Sequence, residues 1–336
     1  MQTFIENMPK AELHVHLEGT LEPELSFELA QRNGIDIPYR TPEEMIQAYD
    51  FHDLPSFLKI YYAAMAVLQK EQDFYQLTWQ YLKKAQSQKT LYVELFFDPQ
   101  AHTSRGVSFD TVITGIRRAQ EQARVELGVE SQLIMCFLRD MDADSAWEHL
   151  QLVKPYRDWI VGVGLDSDEK DNPPIKFERV FREARGMGLK LTMHCDVNQK
   201  NTLAHIGQCL DEIGVDRIDH GVNSLEDERL WRSIRDKGLG LTVCPVSNRF
   251  VVQSLTSGEI RQMLANGMKA TINSDDPAYF RAYLNENLLE LQAEGDFTRD
   301  EIATLVANAF EVSWLPEERK RHYLTQLNQY LTAVAA

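Results

Sequence analysis

The sequence lacks the features that mark several specialised classes of protein. Its four cysteines are scattered without a Cys-x-x-Cys spacing, which excludes a disulfide scaffold and favours a reduced, intracellular chain. No apolar run approaches the roughly 20 residues needed to cross a bilayer. The first ten residues show no basic segment followed by an apolar core, so no signal peptide is predicted. We therefore expect a cytoplasmic protein.

Positive charge is also scarce. Lys and Arg total 35 against 51 Asp and Glu, which gives a net charge of −16. Such a charge repels phosphate backbones, so we expect neither a nucleic-acid partner nor a membrane surface. The 336 residues contain no repeat and no linker rich in Pro, Gly or Ser, while 43% of them are hydrophobic. One domain spanning residues 1–336, with a large buried core, is the prediction.

Short apolar runs alternate with longer amphipathic stretches along the chain. The runs predicted as strands cover residues 12–17, 91–97, 133–138, 160–166, 189–196, 217–221, 240–246 and 269–276. The stretches predicted as helices include residues 109–127, 177–188, 203–214, 227–238 and 258–267. This alternation predicts an α/β fold, a (β/α)8 TIM barrel, with an open doubly wound sheet as the alternative. A helical insertion at about 23–90 would separate strands 1 and 2, and helices from 283 onward would close the ring.

Polar residues gather at the carboxyl ends of these strands, where barrel enzymes build their active sites. His14 and His16 lie two apart on the first strand, so their side chains share one face. His194, His220 and the Asp275-Asp276 pair end three further strands. Imidazoles and a carboxylate on rigid elements are typical ligands of zinc, so the pattern predicts a metal hydrolase. A lone His-x-His pair would be weak evidence, because two ordinary histidines explain it equally well.

The fourth predicted strand bears on the number of metal ions. A carbamylated lysine bridging two metals would need a Lys within residues 160–166, and that segment reads IVGVGLD. We therefore predict one ion in each chain.

Four segments carry a resemblance to a known family. They read MPKAELHVHLEG at 8–19, RIDHGV at 217–222, CPVSN at 244–248 and NSDDPA at 273–278. In this order they resemble the adenosine/adenine deaminases of the amidohydrolase superfamily. YVELFFDPQ at 92–100 and GLDS at 164–167 are most similar to the branch that acts on free adenine-type bases. The resemblance covers almost the whole chain and implies a small-molecule purine as substrate.

The resemblance also implies roles for individual residues. A single zinc ion would be held by a set of four ligands, namely His14, His16, His194 and Asp275. His220 would orient and deprotonate the attacking water. Asp276 would bond the purine at N7 and Ser167 at N3, while Glu18 falls where nucleoside-acting members reach the sugar. Asp98 ends the second strand at the barrel mouth, where we expect it to contact the substrate.

One motif departs from the family pattern. The pattern His-Ala-Gly-Glu, whose Glu protonates N1 of the purine, reads His194-Cys195-Asp196-Val197 in this chain. Addition of water places charge on N1, so a proton donor is required there, and Asp196 is our candidate. The alternative is that Asp196 only caps the residues after it, in which case catalysis would be weak or altered. Residues 198–202 also replace the adenine-type continuation Glu-Gly-Pro-Pro.

Because both the predicted proton donor, Asp196, and the loop at 198–202 differ from the family pattern, we predict a different leaving group at C6 of the purine. We expect hydrolysis of an N6-substituted adenine base to hypoxanthine plus an amine, with adenine or adenosine itself as the alternative substrate. An apolar wall for such a substituent is predicted from the insertion, at Phe57, Leu58, Tyr61 and Tyr62. The alternative to an enzyme is a non-catalytic protein that binds zinc or a purine. Such a protein would not need His220, whose predicted role is to activate water. A cysteine-ligand deaminase is excluded, because it needs His-x-Glu with Pro-Cys-x-x-Cys. The sequence predicts no oligomeric state.

Overall fold

A computed structural model describes residues 1–49 and 51–335, and its centre is a sheet of eight parallel strands. Neighbouring strands follow the order of the chain from the first to the eighth. The strands are β1 Lys10–His16, β2 Thr90–Phe97, β3 Glu130–Leu138, β4 Ile160–Asp166, β5 Lys190–Cys195, β6 Arg217–His220, β7 Gly240–Val243 and β8 Lys269–Ile272.

The segment after β8 returns to β1 and brings the two edges of the sheet together. Val15 pairs in parallel with Asp275. The backbone N–H of His16 donates to the carbonyl of Asp275 at 2.9 Å, and the N–H of Asp275 donates to the carbonyl of His14 at 3.1 Å. These bonds nearly close the barrel, and the predicted (β/α)8 TIM barrel is confirmed over the open sheet.

Helices surround the strands. They are α1 Gln2–Asn7, α2 Pro23–Asn33, α3 Pro42–Gln47, α4 Leu54–Ala64, α5 Glu71–Ser87, α6 Pro99–Thr103, α7 Phe109–Glu126, α8 Ala143–Leu152, α9 Glu178–Gly186, α10 Thr202–Gln208, α11 Glu228–Asp236, α12 Pro245–Val252, α13 Ser257–Ala265, α14 Pro277–Phe280, α15 Leu284–Gly295, α16 Arg299–Val312 and α17 Glu317–Ala335. Across residues 1–49 and 51–335, none of these helices is both long and apolar enough to cross a membrane.

Local sequence signals set where several helices begin and end. Asp53 accepts the N–H of Ser56 at 2.8 Å, and the Ser56 hydroxyl returns toward Asp53, which forms a capping box at the start of α4. Ser108 caps α7 by accepting the N–H of Thr111 at 3.1 Å. After α10 the chain continues for one π-helical turn and stops at Gly214, whose φ of 71° is the left-handed conformation that glycine adopts without strain.

The insertion predicted between strands 1 and 2 contains α2 to α5. The last of these, α5, packs against α7 as part of the outer ring. In contrast, α4 contributes Phe57 and Tyr61 to a separate apolar cluster with Tyr279 and Phe280. Because Asp276 and α14 follow β8, this cluster lies at the carboxyl end of the barrel, above the site described below.

The two faces of each strand carry different residues. In β1, Leu13 and Val15 belong to the apolar core between the strands and the helices. The alternate residues face the barrel interior, which is buried and largely polar. There Arg217 of β6 forms a fully buried ion pair with Glu94 of β2. Buried charged residues therefore fill the barrel interior beneath the residues at the carboxyl ends of the strands.

The carboxyl ends of two strands come three or four residues earlier than the sequence predicts. The strand predicted as 240–246 ends at Val243, because Pro245 begins α12. The strand predicted as 269–276 ends at Ile272, and Asp275 beyond it has a φ of 65°. His220, the last residue of β6, has a φ of 58°. Left-handed backbone at residues other than glycine is strained, and such strain concentrates at functional sites.

Candidate active site

Four side chains predicted as metal ligands converge at the carboxyl end of the barrel. His14, His16, His194 and Asp275 are all buried, and one donor atom from each lies within 4.8 Å of the others. Nε2 of His16 lies 3.1 Å from Nε2 of His194, and Nε2 of His14 lies 3.1 Å from Oδ1 of Asp275. The period-two alternation of β1 and β5 directs these rings into the barrel, as the His-x-His spacing predicts.

The opposite edge of the His14 ring is fixed by two neighbours. The hydroxyl of Thr242 donates to Oδ1 of Asp219 at 2.9 Å. Its oxygen therefore accepts from Nδ1 of His14, which lies 2.9 Å away. This chain of bonds assigns the proton of His14 to Nδ1 and leaves a lone pair on Nε2, which faces a carboxylate oxygen.

The other two imidazoles also have a carboxylate behind them. Nδ1 of His16 faces Asp166 at 3.5 Å, and Nδ1 of His194 faces Asp219 at 3.5 Å. The three Nε2 atoms and one carboxylate oxygen thus point at a common space. Imidazole nitrogens and a carboxylate oxygen are typical ligands of zinc, so this donor set fits a divalent metal ion.

The electrostatics of these residues agree with a cationic centre. Burial lowers the pKa of His14 to about 4, against the opposing charge of Asp275, so its ring is neutral. Burial also lowers the pKa of His16, but the charges of Asp276, Asp275 and Asp166 prevail and raise it to about 10. The carboxylates around this site therefore stabilise a positive charge within it.

The predicted base and the predicted acid lie side by side next to this cluster. Nε2 of His220 is 3.9 Å from Oδ2 of Asp275, and its Nδ1 is 3.9 Å from Oδ1 of Asp196. Within the described chain Nδ1 of His220 has no hydrogen-bond partner. Burial raises the pKa of Asp196 to about 6, and the charge of His220 opposes this rise. A carboxyl group with that pKa can carry a proton near neutral pH.

The role of Asp196 depends on whether its side chain points into the cavity, because the family's Glu position is occupied by Val197. Asp196 lies two residues after His194, so it continues on the same face and lines the cavity beside His194 and His220. Val197, at the family's Glu position, is only 3% exposed and packs into the main hydrophobic core. The acid at this strand end therefore faces the cavity.

Three of the residues predicted to bind substrate also line the cavity, namely Asp98, Ser167 and Asp276. Each has a buried side-chain oxygen with no hydrogen-bond partner among the residues that the structure describes. A Cβ on Gly19 would lie 2.1 Å from Oδ1 of Asp276, so glycine is required for this close approach. Burial and the neighbouring charge of Asp275 raise the pKa of Asp276 well above its usual range.

Glu18, also predicted to contact substrate, occupies a different place. It is not among the residues that line the cavity, and it is 1% exposed. Its Oε1 accepts from Nε2 of His102 at 2.7 Å and from the N–H of Asp98 at 3.1 Å. Glu18 thus supports the wall that carries Asp98, and its contact with a substrate stays a prediction.

An aromatic and apolar wall covers the polar end of the cavity. The rings of Phe57 and Phe280 lie 5.2 Å apart, and those of Tyr61 and Tyr279 lie 5.6 Å apart. The residues predicted for this wall from the insertion all line the cavity, namely Phe57, Leu58, Tyr61 and Tyr62.

The sequence reading missed several residues of the site. Asp166 and Glu169 line the cavity, and Thr242 and Asp219 hold the imidazoles from behind. Asp166 could have been found, because it is the last residue of a predicted strand. Glu169 lies in the loop after β4 and Thr242 is an ordinary strand residue, so neither carries a signal of its own.

With this geometry established, comparison with known proteins identifies the family. The model of the family described as adenosine deaminase matches residues 9–330. The chain belongs to the adenosine deaminase family. Family membership makes it a hydrolytic purine deaminase of the metal-dependent amidohydrolase type, and the resemblance read from the sequence is confirmed.

Individual members of the family are similar over nearly their whole length. An uncharacterized deaminase of Schizosaccharomyces pombe is 50% identical over 334 residues, which are 99% of this chain and 98% of the relative. An adenine deaminase of Acinetobacter baylyi is 47% identical over 328 residues, covering 97% and 98% of the two chains. The crystal structure of an adenine deaminase from Arthrobacter aurescens matches with a TM-score of 0.93 at 42% identity, covering 97% and 99%.

Proposed function

We propose that this protein hydrolyses the C6–N bond of a free 6-aminopurine, with adenine as substrate and hypoxanthine and ammonia as products. The observation that carries the proposal is the convergence of three imidazole Nε2 atoms and Asp275 beside His220 and Asp196. Adenine is favoured as the base because relatives that are 42–47% identical bear the name adenine deaminase. The reaction consumes one water, which supplies the oxygen at C6.

Zinc is the ion we propose for the metal site, with one ion in each chain. His14, His16, His194 and Asp275 would hold it, since neutral imidazoles and a carboxylate are preferred zinc ligands. When bound, the ion would lower the pKa of water and so make a nucleophile available near neutral pH.

His220 and Asp196 would handle the two protons of the reaction. His220 would accept a proton from the water that attacks C6, and Asp196 would donate its proton to N1 as the ring gains electrons. The proton held by His220 would then pass to the departing amine. N1 of hypoxanthine keeps the hydrogen that Asp196 donated. The second hydrogen of the attacking water leaves the C6 hydroxyl as the carbonyl forms, and it would return Asp196 to its protonated form.

Three cavity residues with unpaired oxygens would orient the base. A protonated Asp276 would donate to N7, and the hydroxyl of Ser167 would donate to N3. We propose Asp98 as an acceptor for an N–H of the five-membered ring. Because both N7 and N3 accept hydrogen bonds, these donors would place C6 toward His220 and Asp196.

An N6-substituted adenine is the second candidate substrate, and a specific observation favours it. The cavity wall includes Phe57, Leu58 and Tyr62, which offer apolar surface to an alkyl group. The Asp196-Val197 departure lies at the strand end that carries the proposed N1 donor. The departing motif in the sequence favours this substrate over adenine, whereas the similarity to adenine deaminases supports adenine more strongly.

A substrate panel tests the proposal. Zinc-loaded protein would be assayed with adenine, adenosine, N6-methyladenine and N6-isopentenyladenine, and products would be identified chromatographically. The account predicts hypoxanthine from adenine and a lower kcat/KM for adenosine than for adenine. Higher kcat/KM for the N6-substituted bases would replace adenine with the second candidate. No turnover on any base, with zinc bound and hypoxanthine still binding, would instead indicate a purine-binding protein.

A further inference from the structure

A buried charged cluster stands directly behind Asp196. Glu169, in the loop after β4, is fully buried and is one of the residues that line the cavity. Its Oε1 accepts the backbone N–H of Asp196 at 2.6 Å. Its Oε2 faces Nη1 of Arg139 at 3.6 Å and Nδ1 of His205 at 3.3 Å. One carboxylate thus connects three other elements of the barrel.

Arg139 extends this cluster to the metal-ligand strand. Its Nη1 donates to the carbonyl of His194 at 2.9 Å, and its Nε donates to the carbonyl of Asn172 at 3.0 Å. The guanidinium is fully buried. Charge-assisted bonds of this kind are strong and directional in a buried setting. The loop after β4 and the end of β5 are therefore held together by one ion pair and its hydrogen bonds.

Asp196 needs such support because regular structure ends just before it. β5 stops at Cys195, and Asn198 and Asn201 both adopt left-handed backbone, with φ values of 55° and 63°. Within residues 1–49 and 51–335, the one hydrogen bond to the Asp196 side chain comes from the N–H of Val197, which donates to Oδ1 at 2.7 Å. The N–H of Asp196 donates to Glu169 at the point where the strand has ended.

We propose that Glu169 is a positioning residue that fixes the peptide of Asp196 and thereby aims its carboxyl group at the purine. Its importance for turnover rests on the proposed function, in which Asp196 is the proton donor. The direction of the Asp196 side chain is a structural consequence that does not depend on any substrate. Arg139 and His205 hold the far oxygen of Glu169 and so keep the near oxygen on the Asp196 peptide.

Two variants separate positioning from charge. Glu169→Ala removes the acceptor of the Asp196 N–H, while Glu169→Gln keeps an oxygen that can accept it. Because a displacement of about 1 Å costs on the order of a hundredfold in rate, we expect Glu169→Ala to lower kcat by about that factor with little change in KM. Glu169→Gln should recover most of this loss. Asp171→Asn is the matched control, since Asp171 lies exposed on the same loop and, in the described part of the chain, its one ion pair is with Lys200 at the surface.

Inhibitor binding and a crystal structure test the positioning role of Glu169 independently of turnover. A tetrahedral-C6 dihydropurine analogue should bind Glu169→Ala about a hundredfold more weakly than wild type, while hypoxanthine and zinc bind equally to both. A crystal structure of Glu169→Ala should show the Asp196 carboxyl group turned away from His220. An unchanged Asp196, or equal losses for the alanine and glutamine variants, would overturn the proposal. If wild type turns over no purine, the proposed function fails, and the crystal structure still tests the positioning.

Discussion

Oδ1 of Asp196 and Nδ1 of His220 lie 3.9 Å apart across the ends of two neighbouring strands. The pairing of β5 with β6 produces this relationship, because Cys195 is the register partner of His220. The proposed acid and the proposed base therefore sit on the same side of the metal-ligand cluster. An aspartate one residue earlier than the family's glutamate faces the cavity because it shares the face of His194.

Replacement of Asp196 tests its role as proton donor. Asp196→Asn keeps the size and the acceptor oxygen but has no acidic proton, so we expect kcat to fall by at least about a hundredfold. Zinc content should remain that of wild type, because Asp196 is not in the ligand cluster. Asp196→Glu should retain measurable turnover, since it restores an acid with one more methylene. Turnover by Asp196→Asn within about threefold of wild type would rule out Asp196 as the donor.

Asp275 is expected to couple metal binding to activity. Asp275→Ala removes the one carboxylate of the ligand set, so zinc and turnover should be lost together. The measurement is metal content by elemental analysis alongside kcat at increasing zinc concentration. Asp276→Asn is the comparison, because Asp276 is proposed to bind the purine and is not in the ligand cluster. This variant should keep its zinc while its KM rises. Full zinc content in Asp275→Ala would contradict the assigned ligand set.

Thr242 should affect the zinc affinity of the site although it is not itself a ligand. Thr242→Val removes the hydroxyl that accepts from Nδ1 of His14 and donates to Asp219. Loss of such a partner typically weakens metal binding by about 10–100-fold. Thr271→Val is the control, because its hydroxyl donates to the carbonyl of Leu241. Competition with a chelator measures both affinities, and equal zinc affinity in Thr242→Val and Thr271→Val would refute the proposed orientation of His14.

Lys10 should give the stability of the barrel a dependence on pH. Burial lowers its pKa from 10.5 to about 7, although the charge of Glu6 opposes the shift. Between these values the unfolded chain binds more protons than the folded one, so this group makes folding more favourable as pH rises. The unfolding free energy of wild type relative to Lys10→Met should increase by about 1 kcal/mol per pH unit from pH 7.5 to 9.5. Urea unfolding measures this difference, and parallel curves would contradict the shift.

The sequence predicted the barrel and the site because both depend on short-range patterns. Strand periodicity placed His14 and His16 on one face, and glycines such as Gly214 marked helix ends. The strand predicted as 269–276 was too long, because the left-handed turn at Asp275 depends on its bonds to β1. Glu169 was missed for a similar reason. Its partner Asp196 is 27 residues away, so only the folded barrel brings them together.

The central claim is that this chain is a zinc-dependent deaminase of a free purine base. Its most direct test is a titration of metal-free protein with zinc in the presence of adenine, with hypoxanthine and ammonia both quantified. The account predicts that the two products form in equal amounts and that the rate rises linearly until one zinc is bound in each chain. Full zinc occupancy without formation of hypoxanthine from adenine or from any N6-substituted adenine would contradict it.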